Sequence, residues 1–209
     1  MNIDPKQRVD KLRQANPKRK PDADPENRIP PGQYLTDKFP VLTHGPTPKL
    51  NLTTWKFRIL GLVDNKISWT YQEFLSLPQI DLTTDFHCVT RWSQLDNTWT
   101  GVPIAEVMKH VIVQPEAQYV MVHAHGGYTT NLPLIDLLED DVIFAHSRNG
   151  EPLSPDHGWP LRLVVPKLYA WKSAKWVTGL EFMPHDKPGF WETAGYHNHG
   201  DPWTEERFN

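Results

Sequence analysis

Apolar positions along the chain come in short blocks, some alternating with a period of two and others spaced for one face of a helix. Residues 55–63 (WKFRILGLV) read as a strand, with Asp64 and Asn65 as the turn that closes it. Thr70 and Glu73 stand at capping-box spacing, hydroxyl and carboxylate each satisfying a backbone amide, which predicts a short helix ending near Leu77. Residues 80–89 alternate as a strand that delivers Cys88 at its end. Pro103 suits a first helical turn, and Ile104, Val107, Met108 and Val111 then share one helical face. Residues 119–124 read as a strand, and Gly126 and Gly127 as a sharp turn after it. A short helix over residues 134–138 and strands over 142–146, 161–166 and 176–182 complete the regular elements. Strands and short helices in mixed order, joined by long loops, predict an α+β (mixed α/β) fold with mixed sheets.

Residues 1–29 are polar and read as a mobile N-terminal arm, leaving residues 30–209 as a single domain. Within that domain residues 39–44 (FPVLTH) are apolar enough to lie on the body. The tail GFWETAGYHNHGDPWTEERFN, from Gly189, is irregular yet aromatic enough to pack down. Twenty prolines and nine tryptophans imply shaped loops between short elements, where sites tend to be built.

A chain of 209 residues suits one substantial domain, and 38% hydrophobic with 22% charged residues suits a folded one. The net charge of −3 and scattered basic residues exclude a nucleic-acid footprint. No apolar run approaches the roughly 18 residues of a membrane span. The N-terminal segment has neither the apolar core of a signal peptide nor a twin-arginine pair, so a cytoplasmic location is the default expectation. A single cysteine excludes an internal disulfide and suits a reducing compartment.

That cysteine is the first chemical candidate. A lone cysteine by itself reads as a small buried hydrophobe. The setting of Cys88, FHCVTRWS, shifts the reading, because a strand end enters a loop of polar and aromatic groups. A thiolate suits a soft or high-valent metal, and one cysteine cannot build a structural zinc site. If Cys88 ligates a metal, the other sulfurs come from outside the protein. A second candidate is the run HGWPLRLVVPKLYAWKSAK, residues 157–175. There Arg162, Lys172 and Lys175, with the backbone amides of Ser173 and Ala174, have the makings of a phosphate cradle. A solvated basic surface is the alternative, and flanking Tyr169, Trp171 and Trp176 argue against it. His123 with His125, and His197 with His199, repeat a spacing used in zinc and iron sites. No carboxylate or third histidine stands at ligand spacing near them, so satisfied hydrogen-bonding histidines are the plainer account.

The segment DFHCVTRWSQLDNTWTGVP resembles the molybdenum-ligating cysteine segment of the sulfite oxidase family. HAHGGYTTNLPL, HGWPLRLVVP and YAWKSAKWV follow in that family's order and at its approximate spacing. The resemblance covers about residues 30 to 209 and is to the short stand-alone bacterial type. It implies a sulfite-oxidase-type molybdopterin-binding fold and a molybdenum-molybdopterin cofactor, with Cys88 as the thiolate on the metal. It further implies that His157, Arg162, Ser173, Ala174 and Lys175 bind the cofactor, the cations near the pterin's phosphate. Ala124 matches another cofactor position, where only its backbone can serve, and Leu42, Thr43 and His44 occupy the place of a cofactor-wrapping loop. Tyr128 matches a catalytic tyrosine that points at the metal. The sequence departs from sulfite oxidases in holding no segment like their heme or immunoglobulin-like domains, and in Leu42, where an anion-binding arginine is expected. The reading is a molybdopterin-dependent oxidoreductase transferring an oxygen atom to or from a small-molecule substrate, with a separate electron donor or acceptor. Two alternatives stay open at this point: a zinc or iron enzyme using the histidine pairs, and a non-catalytic cofactor-binding module.

Overall fold

Two β-sheets carry the chain, and the computed structural model that shows them describes residues 4–15 and 26–209. In the first sheet, β1 (Tyr34–Leu35) runs parallel to β5 (Trp92–Pro103), which also takes β4 (Ile80–His87) antiparallel. β5 continues the sheet to β8 (Ile143–Arg148), which pairs with β9 (Glu151–Pro152) and β10 (Arg162–Val164). The second sheet has the order β3 (Ile67–Thr70), β2 (Lys56–Gly61), β11 (Val177–Met183), β6 (Tyr119–Ala124) and β7 (Thr129–Pro133). There β2 and β11 are parallel, and the other pairs are antiparallel. This is the mixed α+β architecture that the residue pattern predicts.

Local chemistry accounts for the elements that place the site. β2 turns Phe57 and Ile59 inward, 0% and 1% exposed, and Arg58 outward. Both capping-box bonds form at α2 (Tyr71–Leu75): Glu73 N donates to Thr70 Oγ1 at 3.2 Å and Thr70 N donates to Glu73 Oε2 at 2.7 Å. The helix stops at Leu75, two residues short of the expected end. α3 (Ile104–Met108) buries Ile104 and Val107 and ends before Val111, while α4 (Leu134–Leu137) falls where a short helix is predicted. Gly101 is required by the sheet itself. A Cβ there would lie 2.1 Å from the Phe144 carbonyl oxygen and 2.7 Å from Ala145 Cα, at the register shift between β5 and β8.

Several elements were not read from the sequence. β5 is the longest strand among the described residues, yet its segment WSQLDNTWTGVP mixes buried and half-buried positions without a clean period of two. The tail contains α5 (Phe190–Ala194), and it is packed down as expected: Arg207 Nη1 donates to the Val89 carbonyl at 3.0 Å. The N-terminal arm also differs from expectation. α1 (Pro5–Gln14) starts with the Asp4 carboxylate accepting from Lys6 N at 2.8 Å and Pro5 in the first turn. It packs on α5 with Val9 only 1% exposed, so this part of the arm is a docked helix. Residues 1–3 and 16–25 of the arm lie outside the described residues. No helix among the described residues is long and apolar enough to cross a membrane.

Two cores result. One draws Phe57, Val102, Val122, Phe144 and Leu180 from both sheets and Phe74 from α2, and the other gathers aromatic side chains around Cys88. Phe57 meets Phe74 and Phe144 at ring-centroid distances of 4.8 and 5.1 Å. Truncating so enclosed a ring leaves a cavity, so Phe57→Ala is expected to cost about 3–5 kcal/mol, against about 1 kcal/mol for Thr70→Ala at the exposed cap. Equilibrium urea denaturation ranks the two, and a Phe57→Ala loss no larger than that of Thr70→Ala would overturn this placement of the main core.

Candidate active site

Cys88 lies one residue beyond β4, in the tight turn that returns the chain into β5. Its N–H donates to the Trp92 carbonyl at 2.9 Å, and its carbonyl accepts from Arg91 N at 2.9 Å and Gln33 Nε2 at 3.1 Å. Arg91 closes the turn with φ 74°. The thiol is buried and contacts Thr90 Oγ1 at 3.2 Å. Burial raises its proton affinity above the ordinary thiol value, opposed by the hydrogen bonds to Thr90 and by the positive charges of Arg162 and Arg207.

The sulfur sits in the wall of a cavity of about 460 Å³, within the usual range for a small-molecule or cofactor site. Of the residues predicted for the site, Leu42, Thr43, His44, Tyr128, His157, Arg162, Ser173, Ala174 and Lys175 line it together with Cys88. Ala124 does not. It ends β6 buried and paired with Val177, and the next residues, His125 and Gly126, reach the cavity instead. Residues 39–44 lie on the body through Phe39, which stacks on His157 at 4.5 Å, while Leu42 remains 38% exposed.

Every charged residue in the lining is a cation: Arg8, Arg162 and Lys175, with no aspartate or glutamate among the lining residues. Arg162 Nη1 donates to the His157 carbonyl at 3.1 Å, its guanidinium lies 5.0 Å from the Phe86 ring centroid, and its buried Nε has no partner. Burial lowers its proton affinity to about 10, with Cys88 opposing and Arg148 reinforcing the shift. Lys175 Nζ donates to the carbonyls of Leu42 at 3.0 Å and Asp156 at 2.9 Å. Burial lowers it to about 7, and repulsion from Arg162 and Arg8 adds to the shift against the attraction of Asp156. His157 is held between Ser154 Oγ at 2.9 Å and the Phe39 carbonyl at 3.0 Å, and burial lowers it too.

Lys172, the third cation of the sequence-predicted cradle, is turned away. It is 0% exposed and pairs with Glu192 Oε1 at 2.7 Å while donating to the Asn131 and Asn198 carbonyls at 2.8 and 2.6 Å. Glu192 also accepts from Trp171 Nε1 at 2.8 Å, and the Trp171 carbonyl accepts from Tyr128 Oη at 2.7 Å. The buried pair therefore positions two side chains of the cavity wall. Burial drives the Tyr128 hydroxyl well above its ordinary value, so it holds its proton. The sequence reading missed Arg8, Trp191 and Tyr196 as lining residues, all three contributed by the N-terminal helix or the tail.

Of the histidine pairs, His125 lines the cavity, whereas His123 meets Glu181 at 2.8 Å. His199 bridges Asp136 at 2.8 Å and Glu206 at 3.0 Å, and His197 lies 3.3 Å from Glu206. Among the described residues no group of three or more His, Cys, Asp or Glu is placed to hold a metal ion, so the histidine pairs build no zinc or iron centre there.

Residues 44–191 match the family model described as oxidoreductase molybdopterin binding domain. The chain belongs to this family. It is 46% identical over 187 residues to the "Uncharacterized oxidoreductase YuiH" of Bacillus subtilis (strain 168), covering 89% of this chain and 94% of that one. It is 28% identical to the "Putative protein-methionine-sulfoxide reductase subunit YedZ1" of Azospira oryzae, covering 83% of this chain and 68% of that protein. It is 27% identical to the sulfite oxidase of Arabidopsis thaliana over 83% of this chain, and spans 55% of the plant enzyme's length. The sulfane dehydrogenase SoxCD of Paracoccus pantotrophus shares the fold, with a TM-score of 0.62 and 24% identity over 68% of this chain and 41% of that chain.

As a member of the molybdopterin-binding oxidoreductases, the chain takes a molybdopterin cofactor. The residues of the cavity fit such a group. Cations in a lining that holds no carboxylate suit its phosphate, and the unpartnered Arg162 Nε is a buried donor left for a ligand. Lys175 gives this a pH signature. Its charged form is disfavoured by folding, so it costs stability below about 7, and that cost is relieved as pH rises from there towards its ordinary 10.5. The cavity correspondingly loses positive charge above about 7. In the cofactor-free protein, sulfate, whose own charge is constant over this range, is expected to bind more weakly as pH rises through about 7. Lys175→Arg should abolish that dependence, and calorimetric titration that finds the same slope in both proteins would remove Lys175 from the anion site.

Proposed function

We propose that the protein is an oxygen-atom-transfer oxidoreductase working at a molybdenum ligated by Cys88. The observation that supports this most is the placing of the single thiol in the wall of a cavity whose charged lining is cationic throughout. Cys88 would supply one sulfur to a cofactor that brings its own dithiolene sulfurs, a donor set that needs no further protein ligand. Arg162 and Lys175 would hold the phosphate, His157, Ser173 and Ala174 would line the cofactor beside them, and Leu42, Thr43 and His44 would lie along the pterin. When bound, the molybdenum supplies the two-electron exchange of an oxygen atom. The chain's part is to bind, orient and dry that centre. Trp171, Trp191, Phe190 and Tyr196 line the cavity and would keep water from the cofactor, and Tyr128, the catalytic candidate, is held in the same wall by the bond its hydroxyl donates to the Trp171 carbonyl. A small-molecule substrate and a separate electron donor or acceptor complete the reading.

Cys88→Ser tests the ligand. A hydroxyl is nearly isosteric but a much poorer donor to this metal, so the variant should keep its fold and lose activity with artificial electron carriers. Normal turnover in folded Cys88→Ser protein would end the assignment.

Substrate charge is the second test. Sulfite is a dianion near neutral pH, and the position expected to hold an anion-binding arginine is Leu42, which offers neither charge nor donor. The aromatic lining suits a neutral sulfoxide or N-oxide, which with two electrons from the donor and two protons from solvent would leave as thioether or amine, its oxygen released as water. Steady-state kinetics with sulfite and a panel of neutral oxides should therefore favour the oxides. A sulfite kcat/KM in the ordinary enzyme range of about 10⁴–10⁸ M⁻¹s⁻¹ would overturn that preference.

A further inference from the structure

The family domain begins at residue 44, yet one cation of its cavity comes from well before it. Arg8 projects from α1, where Val9 beside it is buried against α5 and the tail. Arg8 Nη1 donates to the Thr43 carbonyl at 2.8 Å, and the guanidinium lies 5.5 Å from the Trp191 ring centroid. A guanidinium carries five N–H donors. Among the described residues Arg8, which lines the cavity, has no carboxylate partner, and its N–H groups beyond the one bonded to Thr43 have no protein acceptor.

The neighbouring contact gives this cation a task. Lys175 Nζ grips the carbonyl of Leu42, and Arg8 grips the next carbonyl along, that of Thr43. Two positive groups thus sit on consecutive peptide units of one loop, and each repels the other. Asp156, the carboxylate that acts on Lys175, is itself engaged by the Thr47 hydroxyl. Residues 39–48 contain no acidic side chain that could neutralise the pair. Like charges held side by side in a half-buried wall are stabilised by an anion that both can reach. The anion assigned to Lys175 is the phosphate of the pterin.

We propose that Arg8 is a second arm of that phosphate site, so that the N-terminal helix, outside the family domain, caps the cofactor cavity and helps retain the cofactor. The inference rests on the reading that Lys175 holds the phosphate. It makes α1 a binding element, held on the body through buried Val9 rather than through Arg13.

The test compares holoenzymes by molybdenum and pterin retained per chain during prolonged dialysis, with circular dichroism as the check on folding. The four variants are Arg8→Gln, Arg8→Lys, Lys175→Ala and Arg13→Gln. Arg13 is also on α1 but donates to the Gly195 and Asn209 carbonyls, away from the cavity, and so reports on helix docking alone. Loss of one charge-assisted contact corresponds to roughly a tenfold weaker hold. Arg8→Gln and Lys175→Ala should each lose cofactor about that much more readily, Arg8→Lys should recover most of it, and Arg13→Gln should behave as wild type. Full retention in Arg8→Gln beside a loss in Lys175→Ala would overturn the role of Arg8 and leave the phosphate reading standing. Full retention in both would overturn the phosphate reading and the inference with it. Equal losses in Arg8→Gln and Arg13→Gln would reduce Arg8 to a docking contact, which also overturns the proposal.

Discussion

The buried ion pair between Lys172 and Glu192 is the interaction on which the site's architecture depends. An ammonium and a carboxylate at 0% and 1% side-chain exposure need hydrogen-bond partners beyond each other to offset their desolvation. Asn131 on β7 and Asn198 in the tail accept from the ammonium, and Thr130 on β7 and Trp171 both donate to Glu192 Oε1, leaving only the buried Oε2 without a partner. Desolvated charge therefore binds β7, α5, the loop after β10 and the C-terminal segment into one unit. Trp171 and Tyr128 inherit their positions from it through the Glu192 and Trp171 hydrogen bonds. Removing one partner of such a pair strands the other in a low dielectric, so its effect would spread along the cavity wall.

Against that neutralised pair, the three cations of the cavity stand in contrast. Arg8, Arg162 and Lys175 are held by backbone carbonyls and aromatic faces, partners that solvate a charge without cancelling it. The protein spends carboxylates where structure needs them, at Lys172, Lys167 and His199, and keeps them out of the lining of the site. The resulting positive field is what a phosphate-bearing cofactor requires. The Cys88 thiol lies within the same field, and the nearby arginine charges ease the formation of its thiolate.

What was legible in the sequence followed from local chemistry. The Thr70–Glu73 cap, the alternation of β2, the strand leading to Cys88 and the short helix at Leu134 each rest on neighbours a few residues apart, where spacing alone dictates geometry. The candidate site was legible mainly through the sulfite oxidase resemblance, which short ordered segments carry. Cys88, His157, Arg162 and Lys175 form short ordered segments, and nine of the ten other residues flagged for the site fall on one cavity with Cys88. Even α1 carried a local signal, since Asp4 followed by Pro5 is a helix start, but a polar composition hid it.

Tertiary structure decided everything that depends on distant partners. β5 is a strand because β1, β4 and β8 supply its hydrogen bonds, although its own side chains give no clean alternation. α1 is a wall of the cavity because Trp191 and Tyr196, at the other end of the chain, bury Val9. Lys172 and Lys175 show the limit most sharply: they are three positions apart and alike in charge, so composition and spacing assign them one role. Folding sends the first to Glu192 and leaves the second facing the cavity, because a charge's function is set by which opposite charge the fold brings within reach, and that partner is not encoded locally.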